Sequence, residues 1–419
     1  MALALLVPAV DAQERQLTRT PRNHALDNND NYSADDRFVC FDTRGTRVTG
    51  NGSSSSIMKV DVRSGHEFVV YAPKPIIQHP VNAAPGVIAA SYNPVADEIV
   101  FIHGPFVRDT AKTGFYGKTN RRGAVTPADS SRRVKFLDYR DVDSDVTPPG
   151  AHRGGTHRHE YSRDGRRVGF TYDDQLLPEY GRTIGLLTPS KRAPGGATHW
   201  FNLLVPVVPE KLARPGDLIS AAYDSWVDPQ GTIRAFIGRV KETNGRFTSS
   251  LFVVDVPTNI DVTTGDAGDR THFPKPPRGV RVRRLTRTEV SGIVRGSPDG
   301  RRIAYLAKAA DGTRQVFLIN TDGTNVVQAT QFPTPVEAVR WHPSGQFIAT
   351  ITDHGVAVTD LKRGKSVPLT KHGADQPAVE GLVWSNSGKQ LAFNRRIPSK
   401  RKDADGHDFQ QIFIVPFAE

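Results

Sequence analysis

Residues 161–170 read YSRDGRRVGF, and residues 296–305 repeat the phrase as GSPDGRRIAY. An aromatic or a glycine leads, a polar turn centred on Asp-Gly follows, and an apolar run alternating at the strand period closes it, which is the pattern of a β-hairpin. Further copies stand at 32–41 (YSADDRFVCF), 92–101 (YNPVADEIVF), 341–350 (WHPSGQFIAT) and 384–393 (WSNSGKQLAF), with a looser one at 226–236. The central Asp-Gly or Ser-Gly predicts a two-residue turn, because these residues tolerate positive φ. One hairpin cannot bury both of its faces. Hairpin repeats must therefore stack, and radial stacking of four-stranded units makes a β-propeller.

Successive copies start 60, 69, 65, 70, 45 and 43 residues apart. The last repeats are minimal and the earlier ones carry insertions, where function more often sits. A second strand pair follows each hairpin, clearest at 315–320 with 325–330 and at 355–360 with 366–370. These outer strands close on a Leu-Thr pair, as in Leu285-Thr286 and Leu369-Thr370, with Ala329-Thr330 as a variant. Leu17-Thr18 shows the same pair at the opposite end of the chain, and the last repeat stops at 411–417 without a fourth strand. The prediction is an all-β chain: one propeller over 13–419, with seven blades (six is the alternative), closed by 13–18 as the missing strand of the last blade. Closure of that kind removes exposed sheet edges.

With 37 Gly and 30 Pro in 419 residues the chain is rich in turns, and no segment has the length of a membrane span. The single cysteine, Cys40, excludes an intramolecular disulfide and reads as a buried thiol. A net charge of +11 raises the question of nucleic acid, but the basic residues are scattered pairs such as Arg121-Arg122, Arg132-Arg133 and Arg301-Arg302. They form no recognised nucleic-acid module and read as a solvated loop surface, which leaves acidic polymers, such as polyuronates or anionic lipid surfaces, open as electrostatic partners. Residues 1–10 (MALALLVPAV) are apolar and run into Val10-Asp11-Ala12. This reads as a truncated secretory signal over 1–12, which implies a periplasmic or secreted protein.

The phrase S-x-D-G-x-x-(I/V)-(A/G)-(F/Y), at 162–170 and 297–305, resembles the repeat of TolB-like propellers, periplasmic or secreted proteins of bacteria. Arg22-Asn23-His24 and the stretches 101–105 (FIHGP), 153–159 (RGGTHRH) and 170–174 (FTYDD) are similar to an uncharacterised bacterial family of TolB-like proteins. That family brings a fold and no established function. No G-x-S-x-G elbow follows the repeats, so no hydrolase domain is expected.

Strand direction places the residues before each phrase and after it on one rim. That rim then gathers His157, His159, Asp173, Asp174 and His103, along with Asn23, His24, Asp27, Asp30, Asp42, Asp353 and His354. On a regular strand the i, i+2 spacing turns His157 and His159 to one side. Together with His103 and either Asp173 or Asp174 they would give a nitrogen and oxygen shell suited to Mn, Fe or Zn. The same histidines could instead hydrogen-bond within the Gly154-Gly155 turn and cap a blade junction. Oligogalacturonate lyase offers an analogy in fold and metal type, since it holds a divalent metal with histidines and eliminates across a uronide. The analogy implies His103, His157 and His159 as ligands and His24 as the base. Asp138, Asp141, Asp143 and Asp145 alternate without the glycine and terminal glutamate of a calcium loop, which predicts a solvated loop.

Two functions are open to such a ring. One is a binding or scaffold protein that uses the histidine-rich rim to hold a partner protein or an envelope glycan. The alternative is a metal-dependent enzyme acting on acidic saccharides. The first is favoured because the catalytic constellation is incomplete.

Overall fold

The computed structural model describes residues 14–26, 30–45, 54–79, 81–129, 131–353, 355–370, 381–403 and 406–419. The expected signal segment 1–12, Gln13, Asp27 and His354 lie outside the described residues. Among the described residues, seven antiparallel sheets follow one another in chain order, six of four strands and one of three. The first strands of successive sheets lie side by side and form the inner wall of a ring. These inner strands are Val87–Tyr92, Gly154–Tyr161, Leu218–Trp226, Val290–Gly296, Ala338–Trp341 and Val383–Trp384. In the first blade the inner strand is reduced to the bridges Ala25↔Asp42 and Tyr32↔Val39. The fold is the predicted seven-bladed propeller, and no described helix is long and apolar enough to cross a membrane.

The hairpin turns are wider than the two residues expected from Asp-Gly. Ser162 N bonds Arg167 O, and Gly165 N bonds Ser162 O at 2.8 Å. The Ser162 hydroxyl donates to Asp164 at 2.5 Å and accepts from Arg167 N at 3.0 Å. The serine side chain thus organises a six-residue loop, and the glycine supplies its one left-handed residue, at φ 70°. The phrase beginning at Gly296 builds the same loop through Ser297, Asp299 and Gly300.

Closure works as the Leu-Thr pairs imply. In the outer strands Leu285 N, Ala329 N and Leu369 N each donate to an opposing carbonyl, of Leu251, Val316 and Val356. The following threonine hydroxyl accepts from the N–H of that same opposing residue, at 2.9–3.0 Å. Leu17 N donates to Ile412 O in the same way, and the Thr18 hydroxyl accepts from Ile412 N at 2.9 Å. Arg15 and Gln16 pair with Ile414 and Phe413, so the N-terminal segment is the fourth strand of the last blade. Behind it, buried Asn394 accepts from Leu26 N at 3.0 Å and donates to His24 O at 2.8 Å and Gln411 O at 3.2 Å. Asn394→Ala would strand a backbone donor and acceptors inside the closure, so a loss of about 3 kcal/mol is expected in urea denaturation. A change below about 1 kcal/mol would show that closure does not depend on this side chain.

The core lies between facing blades. Leu17, Tyr32, Phe41 and Met58 meet Val383, Ile412 and Ile414 across the seam where the chain ends join. Cys40, Tyr92 and Phe101 fill the next junction. Burial pushes the Cys40 thiol far above its ordinary value, which fits a packed and unreactive group.

Candidate functional site

Every inner strand after the first blade ends on the leading residue of its repeat phrase: Tyr92, Tyr161, Trp226, Gly296, Trp341 or Trp384. The tryptophans pin neighbouring blades together. The indole N–H of Trp226 donates to Glu160 O at 3.0 Å, that of Trp341 to Arg295 O at 3.0 Å, and that of Trp384 to Arg340 O at 3.3 Å. Each bond fixes the preceding inner strand at the residue just before its phrase. There Glu160, Ser225, Arg295 and Arg340 line a cavity of about 250 Å³, with Asp30, Arg163 and the rings of Tyr32, Tyr161, Trp226, Trp341 and Trp384. The cavity is the mouth of the central channel, on the rim of the Ser-Asp-Gly turns.

This mouth is crowded with guanidinium groups. Arg234 is buried and donates to Glu160 at 2.9 Å and to Asp224 at 2.5 Å, with its plane 4.7 Å from the Trp226 ring. Glu160 also accepts from the Ser225 hydroxyl at 3.0 Å and lies 3.8 Å from Arg295. Burial would raise the Glu160 carboxyl, but Arg234, Arg295 and Arg158 together hold it below its ordinary value. Burial first, and then the charges of Arg340 and Arg158, push Arg295 well below its ordinary value, against the opposing pull of Glu160 and Asp30. Arg340, 3.7 Å from Asp30, is lowered by its burial and by Arg158 and Arg163. An arginine does not release its proton in proteins. The shifts therefore express a standing cost, first of burying these guanidinium groups and then of holding them near Arg158, and an anion entering the mouth would offset it.

The residues predicted to share a metal are divided among separate bonds. His103 is fully buried between Tyr71, Phe106 and Phe136; its Nε2 meets the Tyr71 hydroxyl at 3.0 Å and its Nδ1 meets Gly104 O at 2.5 Å. Asp173 is paired with Arg182 at 2.6 Å. Asp174 is held by Arg153 at 2.9 Å and the Tyr172 hydroxyl at 3.0 Å, and its other oxygen accepts from Leu176 N and Leu177 N. The i, i+2 argument fails for His157 and His159 because Arg158 between them adopts φ 57° and the ladder slips there. A bulge of this kind adds a residue and undoes the strand alternation. His159 packs beneath Gly123 and accepts or donates at Thr156 at 3.0 Å, whereas His157 lies among Arg121, Arg182 and Arg158. His24, the candidate base, is buried in the closure, 3.1 Å from Glu67 and 3.2 Å from Gln410 O.

Among the described residues no three His, Cys, Asp or Glu side chains gather as a metal site. His103, His157, His159, Asp173 and Asp174 thus do not meet in one donor shell here. The alternating acids are engaged elsewhere: Asp143 with Lys112 at 2.6 Å, Asp145 with Arg270 at 3.0 Å, and Asp141 with its own loop. Asp138 is instead a buried hub that joins Arg122, Gly123 N and Thr156, with His152 at 3.5 Å.

The channel residues were missed because they form no motif. Their one signal in the sequence is position, since Glu160, Ser225, Arg295 and Arg340 each stand immediately before a repeat phrase.

A family described as a protein of unknown function, DUF3748, matches residues 85–194. The uncharacterized protein YidR of Escherichia coli (strain K12) is 32% identical over 414 residues, covering 91% of this chain and 95% of YidR. Oligogalacturonate lyase from Vibrio parahaemolyticus superimposes with a TM-score of 0.61 at 10% identity, over 98% of this chain and 95% of the lyase. An oligogalacturonate lyase in complex with manganese gives 0.58 at 10% identity, with the same coverage of both chains. TolB from Acinetobacter baumannii aligns over 93% of this chain and 85% of its own at 12% identity and a TM-score of 0.43. At these identities the lyases share only the fold with this chain, whereas YidR shares its sequence over nine-tenths of both chains: the chain belongs to the family of the uncharacterized protein YidR and folds as a β-propeller.

Proposed function

We propose that the protein is an exported binding protein whose channel mouth holds the acidic end of an envelope glycan. The observation that carries this reading is the crowding of Arg295, Arg340 and Arg163 around a cavity whose facing acids are Glu160 and Asp30, with the charge of Arg158 felt by Arg295 and Arg340. The cavity, at about 250 Å³, is smaller than the roughly 300–1,000 Å³ of pockets for drug-sized ligands. That size suits the end of a chain better than a protein face. Export is part of the proposal and rests on residues 1–12.

Calorimetric titration with a short oligogalacturonate and with a neutral oligosaccharide of equal length tests it. Binding is expected for the acidic chain, weakening as salt is added. Arg340→Ala should lower that affinity at least roughly tenfold, the scale of one charge-assisted contact. Equal binding of the neutral chain, or an unchanged affinity in Arg340→Ala, would refute the reading.

The second reading, a metal-dependent enzyme acting on acidic saccharides, draws on the fold shared with the manganese-bound lyase. It requires Mn, Fe or Zn near His103, His157 and His159, and metal analysis of the purified protein decides it. A stoichiometric metal lost in a His157→Ala, His159→Ala double variant would restore it.

A further inference from the structure

The bulge at Arg158 is one of a set. Ala89, Arg158, Tyr223 and Gly292, in the inner strands of four successive blades, adopt φ of 62°, 57°, 58° and 71°. In each strand the ladder slips at that point. Ala89, Arg158 and Tyr223 each stand three residues before the repeat phrase, and Gly292 four. Only in the last is the residue one that takes this conformation without strain. Side chains of a regular inner strand face the neighbouring blades, whereas a left-handed residue throws its side chain out of the pleat. Tyr223 shows the result, since it is 55% exposed although it lies within an inner strand whose flanking Asp224 and Ser225 are buried. Tyr223 stands two residues before Ser225, which lines the channel-mouth cavity, on the strand that forms the inner wall of its blade. Arg158 occupies the matching position in the preceding blade, close enough to Glu160, Arg295 and Arg340 to shift all three.

We propose that Tyr223 and Arg158, turned into the lumen by matching bulges, form a second tier of the site, a ring-stacking platform beside an anion-holding cation, which selects sugar rings that carry a carboxylate. The inference rests on the channel-mouth reading and deepens it. The tier lies two residues below Arg295 and Arg340 along the strands, about 7 Å, so a chain whose end sits at the arginines lays its next ring across Tyr223. A tyrosine face offers apolar area with little side-chain entropy to lose, which suits the C–H face of a pyranose. The same strain is kept at Ala89, whose methyl is fully buried among Ile88 and Ile102, so the exposure of Tyr223, and not the strain alone, singles it out.

Titration of wild type, Tyr223→Ala and Arg340→Ala with a short oligogalacturonate and with succinate, a dicarboxylate lacking a ring, tests the proposal. Tyr223→Ala is expected to weaken oligogalacturonate about tenfold, the loss of one aromatic contact, and to leave succinate unchanged. Arg340→Ala should weaken both. Tyr223→Gly should match Tyr223→Ala in binding and raise the midpoint of thermal unfolding, because glycine accepts the left-handed conformation. Equal weakening of both ligands by Tyr223→Ala, or of neither, would overturn the platform and leave the arginine mouth standing. A wild type that binds succinate but no oligogalacturonate has the same meaning. Binding of neither ligand would overturn both tiers, and a lowered midpoint in Tyr223→Gly would make Tyr223 a packing residue and overturn the platform.

Discussion

Replacing Arg234 by methionine is expected to cost about 3–5 kcal/mol of folding stability, the scale for removing one partner from a buried ionic group. Arg234 is enclosed by Glu160, Asp224 and the Trp226 ring, and the two carboxylates are buried with it. Methionine fills a similar volume but leaves both charges without their cation, and the second Asp224 oxygen already lacks a hydrogen bond. Gly169 reports on the same packing from the other side, since a Cβ there would come within 2.2 Å of the guanidinium carbon. Gly169→Ala should therefore destabilise in the same direction. Urea denaturation of Arg234→Met checks the prediction, and a loss below about 1 kcal/mol would mean that Glu160 and Asp224 are solvated.

Acid should begin to unfold the ring between about pH 6 and pH 4, before its ion-paired carboxylates titrate. Burial lowers His103, His159 and His199 from 6.5 to about 4. His152 and His157 are lowered for the same first reason, burial. A histidine held neutral in the fold gives its full stabilisation above the unfolded value of 6.5, and that stabilisation is lost as pH falls through about 4. Each such shift corresponds to about 3 kcal/mol at complete protonation, so several acting together exceed the stability of an ordinary domain. Glu160 and Asp138, both held low by neighbouring cations, lose stability in the same direction at still lower pH. The urea midpoint should be flat above about pH 7 and fall steeply between about pH 6 and pH 4. A midpoint unchanged down to about pH 4 would place these histidines in contact with water.

The architecture was legible because each blade repeats one local solution, a polar turn ahead of an apolar strand, organised by a serine and an aspartate in three blades, and because Leu17-Thr18 carries at the N-terminus the hydrogen-bonding pair of an outer strand. Turn width was misjudged because Asp-Gly reads as a two-residue turn until the serine hydroxyl is seen to bridge Asp164 and Arg167. The histidine rim was misread for a different reason. Strand alternation was assumed through Arg158, where a left-handed residue breaks it, and no local pattern in GGTHRHEY announces a bulge. Arg153 and Arg182, distant or unremarkable in sequence, take the two aspartates that a metal would have needed. The channel mouth was hidden because Glu160, Ser225, Arg295 and Arg340 belong to four different blades and share no common residue type. Nothing but the closed ring brings them to one axis.

The most direct measurement is a crystal structure of the protein grown with a short oligogalacturonate. A carboxylate against Arg295 and Arg340, with the adjoining sugar ring on Tyr223, is the predicted result. The sugar bound instead beside His103, His157 and His159, or an empty channel mouth in crystals of a protein that binds the same sugar in solution, would contradict it.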